Sequence, residues 1–139
     1  MVDIFTPEKR SKIMSSIHGK DTSIELLLRK ALWREGIRGY RVAMKLPGRP
    51  DIVFPKYKIA VFCDGDFWHG YKFEEWKGRL SLKWFNKIQG NMERDKKNDL
   101  NLMREGWIVI HLWESDILKN VETCKRKVIS TLVDKGFGK

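Results

Sequence analysis

Cysteine is nearly absent. The 139 residues hold two, Cys63 and Cys124, far apart and with no CxxC pair. That excludes a disulfide framework and a zinc site built on paired thiolates. No apolar run approaches the ~20 residues needed to span a bilayer. The opening stretch "MVDIFTPEKRSKIMSS" carries acids and no clean apolar centre, unlike a secretory signal. Repeats, low-complexity tracts and linkers are lacking too. These absences point to one soluble domain over residues 1–139, with a cytoplasmic location as the default. Acids are outnumbered: 18 Asp and Glu stand against 28 Lys and Arg, a net charge of +10. A basic surface favours polyanions, because neutralised phosphates release counterions, although a basic solvated surface with no partner has the same composition. Six tryptophans could stack on or wedge between bases, or simply fill a core.

Pattern then orders the chain. Thr6 as cap and Pro7 at the first helical position predict a helix over residues 7–17. A second helix is predicted over 23–34, with Leu26, Leu27, Leu28, Ala31 and Leu32 inward and Gly36 at its end. "YRVAM" reads as a strand and "LPGRP" as a turn. "DIVF" and "KIAVFC" read as a hairpin about the short "PKYK" connection. An aromatic, glycine-rich loop runs to about Leu80, followed by a helix over 82–104. Its apolar stripe (Phe85, Ile88, Met92, Leu100, Met103) is broken by the polar block "ERDKKND". "WIVIHLW" is a buried strand, and a helix over 121–134 closes the chain. The order predicts an α/β fold, a small central mixed β-sheet flanked by helices.

One stretch concentrates chemistry: "GRPDIVFPKYKIAVFCDGDFWHG", residues 48–70. Antiparallel pairing about residues 55–58 places Asp51 opposite residues near 62 or 63. Its carboxylate then meets the backbone around Cys63 at one sheet end. Carboxylate, carbonyl and water form the oxygen set that suits Mg²⁺, which could polarise a phosphodiester and activate a water. Asp64-Gly65 also fits an ordinary turn, whereas an acid at the position of Asp51 is less readily explained, since strands are poor in acids. His69, five residues past Asp64, can pass a proton near neutral pH. His18 sits in a turn with no acid companion. His111, inside "IVIHLW", reads as a buried, hydrogen-bonded core residue. Glu25 fits a capping box with Thr22, and equally a carboxylate aimed at metal-bound water.

"LPGRPDIVF" and "AVFCDGDFWHG", preceded by "RSKIMSSIHGKDTSIE" and followed by "KWFNKIQGNMERD" and "GWIVIHLWE", resemble the very short patch repair endonucleases of the PD-(D/E)xK superfamily. These enzymes nick DNA at T:G mismatches, and the likeness covers roughly residues 9–114. It implies a restriction-endonuclease-like fold, with residues 1–20 a DNA-contacting helix and 21–139 the catalytic core. By the same resemblance, Asp51 binds Mg²⁺ through its side chain and Cys63 through its backbone carbonyl. His69 assists water activation or leaving-group protonation, Glu25 supports the metal waters, and Asp64 occupies a catalytic position of unassigned role. Phe67, Trp68 and Trp84 match aromatics that wedge beside the mismatch, and Met14 and Ile17 match apolar residues entering from the opposite groove.

A wedge enters more cheaply where stacking is already weak, as at a mispaired step. Relatives that hold a structural zinc do so at positions matching Asp66, Tyr71, Phe73 and Ser115. None of these is Cys or His here, so no zinc is expected, and packing by Tyr71, Phe73 and Trp76 must hold the loop. The resemblance implies a Mg²⁺-dependent endonuclease that nicks 5′ to the T of a T:G pair, arising from deaminated 5-methylcytosine. The expected partner is double-stranded DNA with a mismatch, bound by a monomer and away from membranes. A mismatch-repair protein or cytosine methyltransferase is a candidate associate. The alternatives are a nuclease for another mismatch, branched DNA or a specific site, and a module that binds distorted DNA without cutting.

Overall fold

The computed structural model describes residues 23–138. The helix expected over 7–17, the DNA-contacting segment 1–20 with Met14 and Ile17, and Thr22 of the expected capping box lie outside them. Helix α1 (Ser23–Arg34) leads through an irregular segment to strand β1 (Ile52–Phe54), a single 3-10 turn and strand β2 (Ile59–Asp64). Then come a one-turn helix α2 (Phe73–Trp76), the long helix α3 (Leu82–Arg104) and strand β3 (Ile108–Trp113). Helices α4 (Glu114–Lys119) and α5 (Val121–Asp134) complete the order.

The sheet order is β1-β2-β3. β1 and β2 form the expected hairpin, with Ile52 opposite Val61 and Phe54 opposite Ile59. Lys58 turns the chain in the left-handed region at φ 53°. β2 and β3 run parallel, Phe62 opposite His111 and Asp64 opposite Trp113. Parallel neighbours need a long crossover, here supplied by α2 and α3. The fold is the expected α/β arrangement, a mixed sheet with helices on both faces.

Period-2 alternation divides the side chains between those faces. Ile52, Phe54, Ile59, Val61, Ile110 and Leu112 pack with residues of α1, α4 and α5 into the main core. Ala60 and Phe62 point the other way and meet Leu102 of α3. By the same parity Asp64 and His111 lie on the α3 side, which decides where the chemistry gathers.

Several expectations need correction. "YRVAM" is not a strand: Arg41 makes one antiparallel bridge to Val53, and Ala43 at φ 55° breaks the extended run. Leu26 and Leu27 are exposed rather than inward. At about 100° per residue, Ile24, Glu25, Leu28, Ala31 and Leu32 share one arc, and positions 26 and 27 fall outside it. On α3 the buried apolar residues are Ile88 and Leu102, while Leu100 and Met103 face solvent. Two short helices, α2 within the expected aromatic loop and α4 between β3 and the last helix, stand where no element was expected.

Candidate active site

Asp51 sits one residue before β1 and its N–H donates to the Val61 carbonyl at 2.9 Å, extending the hairpin ladder. Its carboxylate accepts from the Cys63 N–H at 2.6 Å, so the expected meeting of Asp51 with the Cys63 backbone occurs. The N–H and C=O of a strand residue share an edge in an antiparallel ladder, which places the Cys63 carbonyl on that same edge, beyond the end of β1. Glu25 is buried on α1 and shares a hydrogen bond with Asp51. Burial, that shared bond and the charges of Glu25 and Asp64 push the Asp51 carboxyl up from 3.8 to about 8, against the opposing pull of the Cys63 N–H. Burial and the surrounding carboxylates drive the Cys63 thiol upward. It stays protonated, and the backbone of Cys63 is what it offers the site.

Asp64 closes β2, almost fully buried, and faces two histidines. Its Oδ2 lies 2.6 Å from Nδ1 of His111, and its Oδ1 4.0 Å from Nδ1 of His69. His69 is gripped by Asp95 of α3, Nδ1 to Oδ2, at 2.6 Å. The Nε2 of His111 meets the Asp99 carboxylate at 2.7 Å. Burial alone would lower both imidazoles. For His69 the Asp95 bond and the Asp64 charge outweigh it, and the net shift is upward. For His111 the paired Asp64 and Asp99 carry the ring to about 9. The result is a continuous line of side chains, Asp95–His69–Asp64–His111–Asp99, spanning α3, the loop after β2, β2 itself and β3.

His111 is therefore not a core residue: it is hydrogen-bonded, as expected, but half-buried and part of this line. Asp95 and Asp99 escaped the sequence reading. The signal was present: Phe85, Ile88, Met92, Asp95, Asp99 and Leu102 follow at steps of 3, 4, 3, 4 and 3. That spacing puts two acids on the inward stripe of the helix rather than interrupting it.

The aromatic loop folds inward. Phe67 and Trp68, matched above to wedging aromatics, do not protrude: they are buried with Phe73, Trp76 and Ile88, and Trp84 and Phe85 pack at the edge. Phe67 stacks on Trp76 at 5.7 Å, and Trp68 meets Trp84 edge-on at 5.6 Å. The correction has a plain cause: after β2 the loop turns back onto α3, and six large side chains bury one another. Lys87 lies over the Trp68 ring at 5.4 Å. The buried Trp68 indole N–H finds no acceptor among the described residues. Across the loop, Asp66 Oδ1 accepts from the Ser115 N–H at 3.2 Å. The Tyr71 carbonyl accepts from the Trp76 indole at 2.7 Å, and the Tyr71 ring packs on Trp113. Tyr71, Phe73 and Trp76 thus pack the loop as expected.

Comparison with known proteins finds one family. The family model described as DNA mismatch endonuclease Vsr matches residues 2–75. A type II nicking enzyme, V.NmeDIP of Neisseria meningitidis serogroup C, is 41% identical over 96% of this chain and 93% of its own. Another, V.HpaIIP of Haemophilus parainfluenzae, is 42% identical over 87% of this chain and 89% of its own. The DNA mismatch endonuclease Vsr of Escherichia coli K12 is 38% identical over 82% of this chain and 74% of its own. The chain belongs to the Vsr family of DNA mismatch endonucleases.

Proposed function

We propose that this DNA endonuclease nicks one strand of a duplex 5′ to the T of a T:G mismatch, with Mg²⁺ as its cofactor. The observation that carries the reading is the convergence of Asp51, Glu25, Asp64 and His69 at one end of β2, inside a chain of charge +10. Such a chain draws in a polyanionic backbone, while the acids remain where a cation would sit between protein and phosphate.

The donor set fits Mg²⁺. It is hard and oxygen-rich, and the crowding that raises Asp51 is what a divalent cation relieves. Among the described residues no three His, Cys, Asp or Glu side chains form a cage of their own. Mg²⁺ commonly takes one or two carboxylates and keeps several waters. Asp51 would hold it directly and Cys63 through its carbonyl, with Glu25 ordering water beside it. When bound, Mg²⁺ would polarise the scissile phosphodiester and lower the pKa of a bound water. His69 supplies the mobile proton. With Asp95 on Nδ1, its Nε2 is the atom left to exchange a proton with water or with the leaving oxygen.

Mismatch reading falls to Trp84, Trp68 and Phe67. Trp84 lies half-buried at the rim of the aromatic cluster and needs the least movement to enter a duplex. Trp68 follows if the cluster opens, and its indole N–H, without an acceptor among the described residues at a cost of roughly 1–3 kcal/mol, favours that opening. A T:G step resists a wedge less than a matched step does.

A labelled duplex with one T:G pair, incubated in Mg²⁺ or in EDTA beside T:A and C:G controls, tests the reading. A Mg²⁺-dependent nick in the T strand of the T:G duplex alone is expected. Equal cutting of all three would overturn mismatch selectivity, and binding without a nick would overturn the enzymatic reading.

A further inference from the structure

We propose that His111 is a positioning residue for proton transfer at His69: held between Asp64 and Asp99, it fixes the Asp64 carboxylate so that its other oxygen faces the His69 ring. The proposal deepens the reading above and rests on it for the identity of the reaction.

Asp64 is almost fully buried, and its orientation is set by its neighbours rather than by water. Among the described residues its hydrogen-bonded side-chain partner is His111, at 2.6 Å through Oδ2. This leaves Oδ1 toward His69 at 4.0 Å. His111 is itself fixed on two further sides. Its Nε2 meets Asp99 at 2.7 Å, and its ring stacks on Phe62 at 4.7 Å and 16°. With a carboxylate at each nitrogen both ring atoms must donate, so the ring is an imidazolium. Strand β3 places an apolar residue, Val109, two positions earlier on this face. A histidine with two acids at the next inward position is an expensive substitute for a packed side chain. A residue serving only the core would not need both nitrogens engaged. The charged groups facing His111 are Asp64 from β2 and Asp99 from α3, with His69 and Asp95 just beyond.

The test compares His111→Gln, Asp99→Asn, Asp64→Asn and the His111→Gln/Asp64→Asn pair. It uses single-turnover nicking of whichever duplex the parent chain cuts, with DNA affinity measured in EDTA. His111→Gln and Asp99→Asn are expected to cut roughly 10- to 100-fold more slowly, as partners one step behind a site do, with affinity unchanged. The double variant is expected to be no slower than Asp64→Asn, because His111 acts through Asp64. Losses that multiply in the double variant, or parent rates in folded His111→Gln, would overturn the proposal.

A second readout needs neither metal nor cleavage. Nitrogen-15 spectra of the histidine rings in the metal-free protein are expected to show His111 protonated on both nitrogens at pH 7. The His69 resonances should move in His111→Gln and in Asp99→Asn. A neutral His111, or His69 resonances indifferent to Asp99→Asn, would overturn it even if His111→Gln does not fold. Failure of the parent chain to nick T:G duplexes would instead strike the proposed function and leave these spectra decisive for His111.

Discussion

The Nδ1 of His69 and the Oδ2 of Asp95 lie 2.6 Å apart. That contact sets the proton on Nδ1 and supplies much of the upward shift of the ring. Asp95→Asn removes the charge and keeps the shape. Burial, which lowers an imidazole, then regains ground, and the His69 titration is expected to move down. The cleavage rate should fall on the order of 100-fold, as when a general acid or base is mis-tuned. Ring resonances followed against pH, beside single-turnover rates, check both halves. An unmoved titration would remove Asp95 from the mechanism.

Asp51 carries the clearest pH signature. Its folded pKa of about 8 lies above the ordinary 3.8, so between those values the folded chain binds more protons than the unfolded one. Stability of the metal-free protein therefore falls as pH rises through that window, and the cost is complete above about pH 8. Asp51→Asn is expected to leave stability at pH 4 unchanged and to raise it at pH 8 by roughly 1–3 kcal/mol, while abolishing the nick. Mg²⁺ should raise the melting temperature of the parent chain more at pH 8 than at pH 5, and that of Asp51→Asn hardly at all. His111 also loses its stabilising charge as pH rises from about 6.5 through about 9, in both proteins alike, so the difference between them isolates Asp51. Denaturant titrations at the two pH values decide the matter. A variant no more stable than its parent at pH 8 counts against the crowded-carboxylate account.

Much of this site was legible because hairpin register is local. Ile52 against Val61 follows from turn length and alternation, and it carries Asp51 to Cys63 with no knowledge of the remaining fold. The pairing of β2 with β3 is not local. Only the parallel register, Phe62 with His111, turns His111 toward Asp64, and apolar neighbours in sequence disguised it as core. Asp95 and Asp99 were readable in principle from the stripe on α3, but knowing what an inward acid meets requires the sheet beneath it. Phe67 and Trp68 show the opposite error. Their chemistry suggested a protruding wedge, whereas large apolar rings beside one another bury one another.

Gly70, next to His69, has φ +76°, and a Cβ there would run into the sulfur of Met92 on α3. The flexible Met92 side chain can give way to such a Cβ, whereas the strain of the positive φ stays, in the stretch of loop that holds His69 against Asp95. Gly70→Ala combines a strained φ with overpacking, a loss of about 1–3 kcal/mol. The cleavage rate is expected to fall further than stability alone explains, because the loop must lift His69 from its partner. Adding Met92→Ala opens space without correcting φ and should recover part of both. If the double variant cuts no better than Gly70→Ala, steric contact is not the cause.

Trp84 and Trp68 differ in burial, and this separates their expected effects. Trp68 is 7% exposed and packs against Phe67, Trp84 and Lys87, so Trp68→Ala removes core as well as any wedge and should cost about 3–5 kcal/mol of stability. Trp84, at the rim, gives up less when truncated: a ring contact worth about 0.5–1.5 kcal/mol and part of its apolar area. Trp84→Ala is expected to fold and to bind matched duplex as the parent does, since phosphate contacts dominate that affinity. Its preference for T:G over T:A should shrink, by roughly 10-fold if the ring contributes one base-stacking contact of about 1–3 kcal/mol. Competition binding between the two duplexes in EDTA measures the ratio without cleavage. A preference left intact in Trp84→Ala, with the variant folded, would move mismatch reading away from this rim.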